Sequence, residues 1–411
     1  MAVGESIRPK IARVRASVTM LGPAFVAAIA YVDPGNVATN TSAGANYGYL
    51  LVWVVVVANA MAGLVQFLSA KLGLVTGQSL PEALRDRLGT PARLAYWAQA
   101  EVVAMATDLA EVLGGAIALN LLFDVPLPVG GLITGVVSTV LLMVRDQAGQ
   151  RPFEQVVTGM LLVIAIGFAA GLFFVPPSGT GVVQGLLPAF ADADSVLLAA
   201  GMLGATVMPH AVYLHSALAR DRHGRQEGTT LRRLLAVTKV DVGAAMLFAG
   251  AVNLSMLLIA ASALTGVEDV DTLPGVHSAI GDLVGPGIAM LFAIGLLASG
   301  FASTSVGCYA GAVVMGGLLR ARIPLLVRRL LTLIPAVILL AAGLDPTWSL
   351  VISQVVLSFG IPFALVPLVR LTASRDVMGG HVNRRLTTVL AAVIAAAVIA
   401  LNLTLIYLTF V

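Results

Sequence analysis

The segment Tyr31–Asn36 reads YVDPGN and lies inside an apolar run that begins near Thr19. Proline removes a backbone donor, glycine loosens a helix, and aspartate brings a charge. A helix that crosses a bilayer satisfies its backbone groups internally. Broken backbone at membrane depth is tolerated only where it is buried in protein or lines a cavity. The segment therefore predicts a broken membrane helix with a carboxylate at the break.

The composition places this run in a membrane protein. The 411 residues are 58% hydrophobic and only 11% charged, whereas soluble domains carry roughly 25% charged residues. A chain of this length has room for ten or more spans of about 20 apolar residues each. The single cysteine, Cys308, excludes an intrachain disulfide. No cleavable signal peptide is expected, because the first apolar run carries the DPGN break rather than a small-residue cleavage site.

The apolar pattern predicts eleven spans in one all-α transmembrane domain. Their expected ranges are 18–44, 48–75, 94–123, 127–145, 153–175, 195–219, 236–264, 284–317, 324–343, 347–370 and 386–410.

The basic residues fix the expected orientation. All 24 Lys and Arg residues fall in the N-terminal tail or around the loops that follow the even-numbered spans. The opposite loops carry acidic residues: Asp124, Asp192, Asp194, Glu268, Asp269, Asp271 and Asp345. The positive-inside rule then predicts a cytoplasmic N-terminus and an extracytoplasmic C-terminus. The expected location is the inner (cytoplasmic) membrane. This topology explains the net charge of +3 with the bilayer as partner and without nucleic acid or an obligate protein partner.

A second break is expected in span six, where Met208-Pro209-His210 interrupts the apolar run. Spans one and six are five apart, so a second five-helix unit would enter the membrane from the opposite side. Broken helices at matching positions of inverted repeats indicate the central site of a transporter. The repeats would cover about 18–175 and 195–370, with an extra helix at 386–410. A proline kink without a role is the alternative for either break alone.

The side chains at the two breaks are typical of a transition-metal site. Asp33 and Asn36 offer hard oxygen donors, and the proline of span six frees a backbone carbonyl near Ala205. The Met208 thioether is a soft donor from which Mg²⁺ and Ca²⁺ gain little and Mn²⁺ and Fe²⁺ gain more. Packing is the alternative for Met208. Gln354 in span ten completes the ion's shell or merely bonds across helices.

Span three carries a second polar series. Glu101, Asp108 and Glu111 fall within an arc of about 80° on one helix face, and carboxylates inside a span are expensive and usually functional. A proton route is one interpretation. The other is a structural ion-pair network with Arg328 and Arg329.

The histidines divide into two groups. His210 is adjacent to the second break and is the better candidate for a proton relay. For His215 a relay and an interhelical hydrogen bond are equally supported. The remaining histidines receive no role: His223, His277 and His381.

These motifs resemble the Nramp family of divalent-metal transporters along nearly the whole chain. The resemblance is carried by DPGN in span one, ATDLAE in span three, GATVMPH and YLHSAL in span six, and SQVVLSFGIPFALVP in span ten. It implies the LeuT-type fold and import of Mn²⁺ and Fe²⁺ with protons. The metal ligands it implies are Asp33, Asn36, the Ala205 carbonyl, Met208 and, in some states, Gln354. The proton-linked residues it implies are Asp33, His210, Glu101, Asp108 and Glu111, with the basic pair Arg328 and Arg329.

We therefore expect a proton-coupled importer that works by alternating access, without a resident cofactor and without enzyme activity. The candidate hinge residues flank the breaks: Pro34, Gly35, Gly201, Gly204 and Pro209. Two alternatives remain. One is a sodium- or proton-coupled symporter of small organic substrates with the same fold, and the other is a membrane metal sensor.

Overall fold

The structure is a computed structural model that describes residues 22–267, 270–321, 323–344 and 346–410. Several features of the sequence lie outside these ranges. They are the basic N-terminal tail, the first residues of predicted span one, and the loop residues Glu268, Asp269, Arg322 and Asp345.

The described residues form helices and no strands. The first ten helices are α1 Pro23–Ile29, α2 Pro34–Tyr47, α3 Val52–Thr76, α4 Leu80–Arg85, α5 Thr90–Phe123, α6 Leu127–Ala148, α7 Gln150–Ala169, α8 Gly179–Gly185, α9 Ala193–Thr206 and α10 Pro209–His223. The others are α11 Gly228–Ala263, α12 Leu273–Leu283, α13 Pro286–Leu319, α14 Leu325–Ala341, α15 Pro346–Ala373, α16 Arg375–Met378 and α17 Arg385–Phe410. This confirms the all-helical fold class.

Nine helical segments within the described ranges are long and apolar enough to cross a membrane. They correspond to nine of the predicted spans. The other two are span one, which is divided between α1 and α2, and span nine, which is the 17-residue helix α14. The count of eleven remains a prediction.

The broken helices lie in the protein interior, and the unbroken helices surround them. The apolar window of α5 is 78% buried, whereas that of α17 is only 22% buried. Helix α5 packs along α13, and α11 packs against α2 and α3. Large apolar side chains of α7, such as Leu162 and Ile166, are exposed. The central helices thus contact protein on most sides, while α7 and α17 present apolar surface suited to lipid.

Loops predicted on the basic face contact one another. Lys71 Nζ donates a hydrogen bond of 2.6 Å to Asn383 Oδ1, which joins the end of α3 to the segment before α17. Arg220 at the end of α10 pairs with Glu82 of α4. These contacts place the loops after spans two, six and ten on one side of the molecule.

Loops predicted on the acidic face also meet. Tyr47 Oη donates to Asp192 Oδ1 at 2.9 Å, and the hydroxyls of Tyr49 and Ser262 lie 2.8 Å apart. The loops after spans one, five and seven therefore share the opposite side. Both sets of contacts agree with the alternation that the charge pattern predicts.

Candidate metal site

The first predicted break is present. Helix α1 ends at Ile29, a short 3-10 turn covers Ala30–Val32, and Asp33 adopts an extended conformation (φ −71, ψ 168) before α2 begins at Pro34. The Asp33 Oδ1 atom caps α2 by accepting a hydrogen bond of 2.8 Å from the backbone N–H of Asn36. The carboxylate is fully buried. The sequence DPGN thus ends one helix and starts the next.

Distant helices satisfy the carbonyls that this break frees. Ser299 of α13 donates to the Val32 carbonyl at 2.6 Å, and Asn253 of α11 donates to the Tyr31 carbonyl at 2.7 Å. In a continuous helix Val32 would accept from the Asn36 N–H, which here binds Asp33 instead. Ser299 and Asn253 were not among the predicted site residues, because no local pattern links them to residues more than 200 positions away.

The second predicted break is also present. Helix α9 ends at Thr206, Val207 and Met208 are non-helical, and α10 begins at Pro209. In a continuous helix the Ala205 carbonyl would accept from the N–H of residue 209, but proline has no N–H. The Ala205 carbonyl is therefore available to another partner.

The two breaks meet through the side chain of Asn36. Its Nδ2 donates to Asp33 Oδ1 at 2.7 Å and to the Ala205 carbonyl at 2.9 Å. Thr206 Oγ1 lies 3.4 Å from Asn36 Oδ1. Thr206 was not among the predicted site residues, although it immediately precedes the break. Among the described residues Asp33 Oδ2 has no hydrogen-bond partner. Three of the predicted ligands thus converge at one buried point.

This geometry suits a cation. A turn of the Asn36 amide about its last torsion exchanges its nitrogen and oxygen. Asp33, Asn36 and Ala205 would then direct three oxygen atoms at the same place, and those oxygens repel each other unless a cation lies between them. Within the described ranges no group of three or more His, Cys, Asp or Glu residues is placed to hold a metal. The donors at the junction are instead a mixed set of one carboxylate, one amide and one backbone carbonyl, and metal binding there stays a prediction.

Met208 and Gln354 lie beside the breaks. Met208 is fully buried at the start of α10 and belongs to the same apolar cluster as Val32 and Val37. Gln354 of α15 lies directly on Gly35, since a Cβ built at Gly35 would be 1.9 Å from Gln354 Nε2. Gln354 is 6% exposed, and neither polar atom of its side chain has a hydrogen-bond partner in the described part of the chain. Gln354 therefore lies against the first break and Met208 lies at the second, and coordination of a metal ion by either residue stays a prediction.

A cavity of about 80 Å³ lies between the acidic face and the first break. Its lining includes Asp271, before α12, and extends past Thr39 of α2 to Gly35 and Gln354. The cavity thus connects the predicted outer surface with the first break.

The carboxylate series of α5 lies alongside α13 and α14. Asp108 pairs with Arg329, and both side chains are 1% exposed. Glu101 Oε1 lies 2.8 Å from Arg328, which also lines a cavity of about 400 Å³ among the loops of the basic face. Glu111 packs against α13, where a Cβ built at Gly307 would be 2.7 Å from its Oε2. Two carboxylates therefore form the ion pairs of the structural alternative, and the proton route stays a prediction.

The two histidines after the second break differ in their contacts. His210 Nδ1 lies 3.4 Å from Thr107 Oγ1, which links α10 to α5. His215 Nδ1 lies 2.7 Å from Gln66 Oε1, and Gln66 Nε2 donates to Tyr31 Oη at 2.5 Å. His215 thus makes the interhelical hydrogen bond that was the alternative to a proton relay.

The hinge candidates lie either at the first residue of a helix or against a side chain of another helix. Pro34 and Pro209 are the first residues of α2 and α10. Gly35 is covered by Gln354, whereas a Cβ at Gly204 would meet Ser358 at an ordinary 3.4 Å and one at Gly201 would meet Thr39 at 3.8 Å. Hinge motion at these positions stays a prediction.

Comparison with known families decides the relationship. The family model described as Natural resistance-associated macrophage protein-like, Nramp, matches residues 24–408. The chain belongs to the Nramp family. A relative from Mycobacterium tuberculosis, named divalent metal cation transporter MntH, is 62% identical over 408 residues that cover 99% of this chain and 95% of the relative.

Solved structures agree with the fold of this Nramp chain. A manganese transporter from Eremococcus coleocola superposes with a TM-score of 0.86 at 31% identity, covering 95% of this chain and 86% of that structure. Mhp1, a nucleobase-cation-symport-1 family transporter, superposes with a TM-score of 0.61 at 15% identity, covering 94% of this chain and 89% of the other. The second likeness shows the fold alone, and it means that the fold does not separate a metal transporter from an organic-substrate symporter.

Proposed function

We propose that this Nramp chain imports divalent transition-metal ions, Mn²⁺ and Fe²⁺, together with protons by alternating access. The observation that carries the proposal is the junction of the two breaks, where Asn36 joins the Asp33 carboxylate to the Ala205 carbonyl. A buried carboxylate costs several kcal/mol unless a charge or hydrogen bonds compensate it. A bound cation supplies that compensation.

The donor set supports a transition ion over Mg²⁺ and Ca²⁺. Three oxygen donors from Asp33, Asn36 and Ala205 combine with the Met208 thioether, and such mixed sites favour first-row transition ions. The names of the metal-transporting relatives support the same substrate class. Moderate affinity also suits transport, since the ion must leave the site on the other side.

The expected route starts in the cavity that reaches Gly35 and Gln354 from the acidic face. The metal ion would pass Asp271, lose water and meet Asp33 at the break. Movement of the half-helices around the breaks would then open the basic face, which we place in the cytoplasm. The chain acts in this proposal as an inner-membrane transporter, with neither an enzymatic step nor a resident cofactor.

The proton component rests on the carboxylates of α5. Glu111, Asp108 and Glu101 follow one helix from the level of the breaks to Arg328, beside the cavity on the basic face. Proton transfer along this helix would allow a metal ion and a proton to use different exits from neighbouring sites.

The test is uptake of Mn²⁺ into proteoliposomes that contain a pH-sensitive dye. We expect inward Mn²⁺ flux with internal acidification, and loss of the flux in Asp33→Asn, which keeps the shape of the side chain and removes its charge. Near-normal Mn²⁺ transport by Asp33→Asn would remove Asp33 from the site.

A second experiment distinguishes metal transport from transport of a small organic substrate. Purified protein should bind Mn²⁺ in a calorimetric titration without Na⁺. Absence of Mn²⁺ binding, combined with uptake of a small organic substrate that depends on Na⁺ or protons, would contradict the proposed function.

A further inference from the structure

The first break rests directly on the backbone of α5 at Gly114. A Cβ built at Gly114 would lie 2.1 Å from Pro34 Cγ and 2.2 Å from Pro34 Cβ. Such separations are far shorter than the van der Waals contact distance of about 3.5–4.0 Å between non-bonded carbon atoms, so the two groups would repel strongly. The proline of DPGN therefore occupies the space that any side chain at position 114 would need.

Helix α5 is closely packed by two other helices at this level. On its next residue, a Cβ at Gly115 would lie 2.5 Å from Thr134 Oγ1 of α6. From α13, a Cβ at Gly300 would lie 2.7 Å from the backbone nitrogen of Gly115. Two neighbouring helices thus hold this turn of α5 in place. A group added at Gly114 would displace the break rather than the helix.

Two other contacts of the break can yield more easily. Ser299 holds the Val32 carbonyl by one hydrogen bond, and Gln354 covers Gly35 with a side chain that can rotate. A Pro34 pushed by a group at position 114 is therefore expected to move with the break. Asp33 caps the helix that Pro34 begins, so its carboxylate would move with it.

We propose that Gly114 is a positioning residue for the metal site: its lack of a side chain sets where Pro34, and with it the Asp33 carboxylate, lies relative to the Ala205 carbonyl and Met208. The inference rests on the proposed function. The three atoms nearest to a Cβ built at Gly114 all belong to Pro34, so the effect of Gly114 on the site is expected to pass through Pro34.

The test compares metal binding by wild-type protein and Gly114→Ala, using calorimetric titrations with Mn²⁺ and with Cd²⁺. We expect the Kd for Mn²⁺ to rise at least about tenfold. The Kd for Cd²⁺ should rise less, because the softer ion draws more of its affinity from the Met208 sulfur and less from the displaced carboxylate. A merely structural defect would lower the fraction of binding-competent protein and affect both ions alike.

Two glycine variants serve as matched controls. Gly243→Ala makes the same change in a helix where no atom lies within 4 Å of the new Cβ. Gly167→Ala creates a contact of 2.6 Å with the Leu291 carbonyl, between α7 and α13 and away from the break. We expect both controls to leave the ratio of the Mn²⁺ and Cd²⁺ affinities at the wild-type value.

The double variant Gly114→Ala/Pro34→Gly removes the two ring atoms that the new methyl group meets. It should bind Mn²⁺ more tightly than Gly114→Ala alone, since coupled neighbours are not additive. If Gly114→Ala does not fold, recovery of folded protein by the double variant supports the contact, and failure to recover contradicts it.

The outcomes separate the two proposals. Wild-type protein that does not bind Mn²⁺ contradicts the proposed function. Wild-type protein that binds Mn²⁺, with Gly114→Ala equal to it in Kd and in ion preference, overturns the role of Gly114 and leaves the proposed function intact.

Discussion

At the scale of single residues, Met208 is the residue that we expect to set the ion preference of the site. Met208 immediately precedes α10, at a break where the other expected donors are oxygen atoms. Removing its thioether would leave a site with oxygen donors alone. Hard oxygen sites suit Ca²⁺ and Mg²⁺. We predict that Met208→Ala lets Ca²⁺ compete at least about tenfold better against Mn²⁺ uptake, measured as the Ca²⁺ concentration that halves Mn²⁺ flux.

Met202→Ala is the matched control for this prediction. Met202 is 1% exposed and belongs to α9, but it lies inside the helix rather than at the break. It should cost stability and leave Ca²⁺ competition unchanged. Equal Ca²⁺ competition in both variants would show that Met208 only packs.

At the scale of helices, the end of α9 is what frees the Ala205 carbonyl. Pro209→Ala removes no ligand, yet it supplies the N–H that a continuous helix would direct at this carbonyl. We predict that α9 and α10 then tend toward one helix and that the Kd for Mn²⁺ rises about tenfold. Calorimetric titration of Mn²⁺ measures this.

Pro286→Ala is the control, because Pro286 also begins a helix, α13, where no ligand carbonyl is at stake. We expect unchanged Mn²⁺ affinity there. An unchanged Kd in Pro209→Ala as well would mean that Ala205 is not a ligand.

Two carboxylates of α5 allow the structural and the proton-route interpretations to be tested separately. Asp108 is paired with Arg329 in a fully buried site, and removing one partner of such a pair typically costs about 3–5 kcal/mol. Glu111 packs against α13 at Gly307 instead. We predict that Glu111→Gln keeps Mn²⁺ binding and slows metal-driven proton entry at least about tenfold, measured with the internal pH dye.

Asp124→Asn is the control, since Asp124 ends the same helix on the surface in a left-handed conformation that Asn also adopts. It should leave proton entry unchanged. Normal proton entry in Glu111→Gln would favour the structural interpretation of the series.

At the scale of the whole molecule, the sequence predicts what local chemistry controls. The breaks follow from residues adjacent in the chain: Pro34 and Pro209 remove donors, and Asp33 caps a new helix. The positions of Ser299, Asn253 and Gly114 could not be predicted. Each acts on the first break from another helix, and a serine, an asparagine or a glycine inside an apolar run looks the same whether or not a freed carbonyl or a proline ring lies opposite.

The last prediction concerns the orientation in the membrane. The two sets of loop contacts show which residues lie on the same side of the molecule and can be labelled together. The segment before α17 contacts the end of α3, while Asp192 contacts Tyr47 on the opposite side. With the basic face inside, a cysteine in place of His381 should be shielded in intact cells and a cysteine in place of Asp194 should react with a membrane-impermeant maleimide. The native Cys308 is 2% exposed and should stay unlabelled. After permeabilisation both introduced cysteines should react.

Labelling of the cysteine at position 381 in intact cells, with protection at position 194, would show that the orientation is the opposite of the predicted one. The cavity that lies between the acidic face and Gly35 would then open to the cytoplasm, and the proposed direction of transport would be reversed.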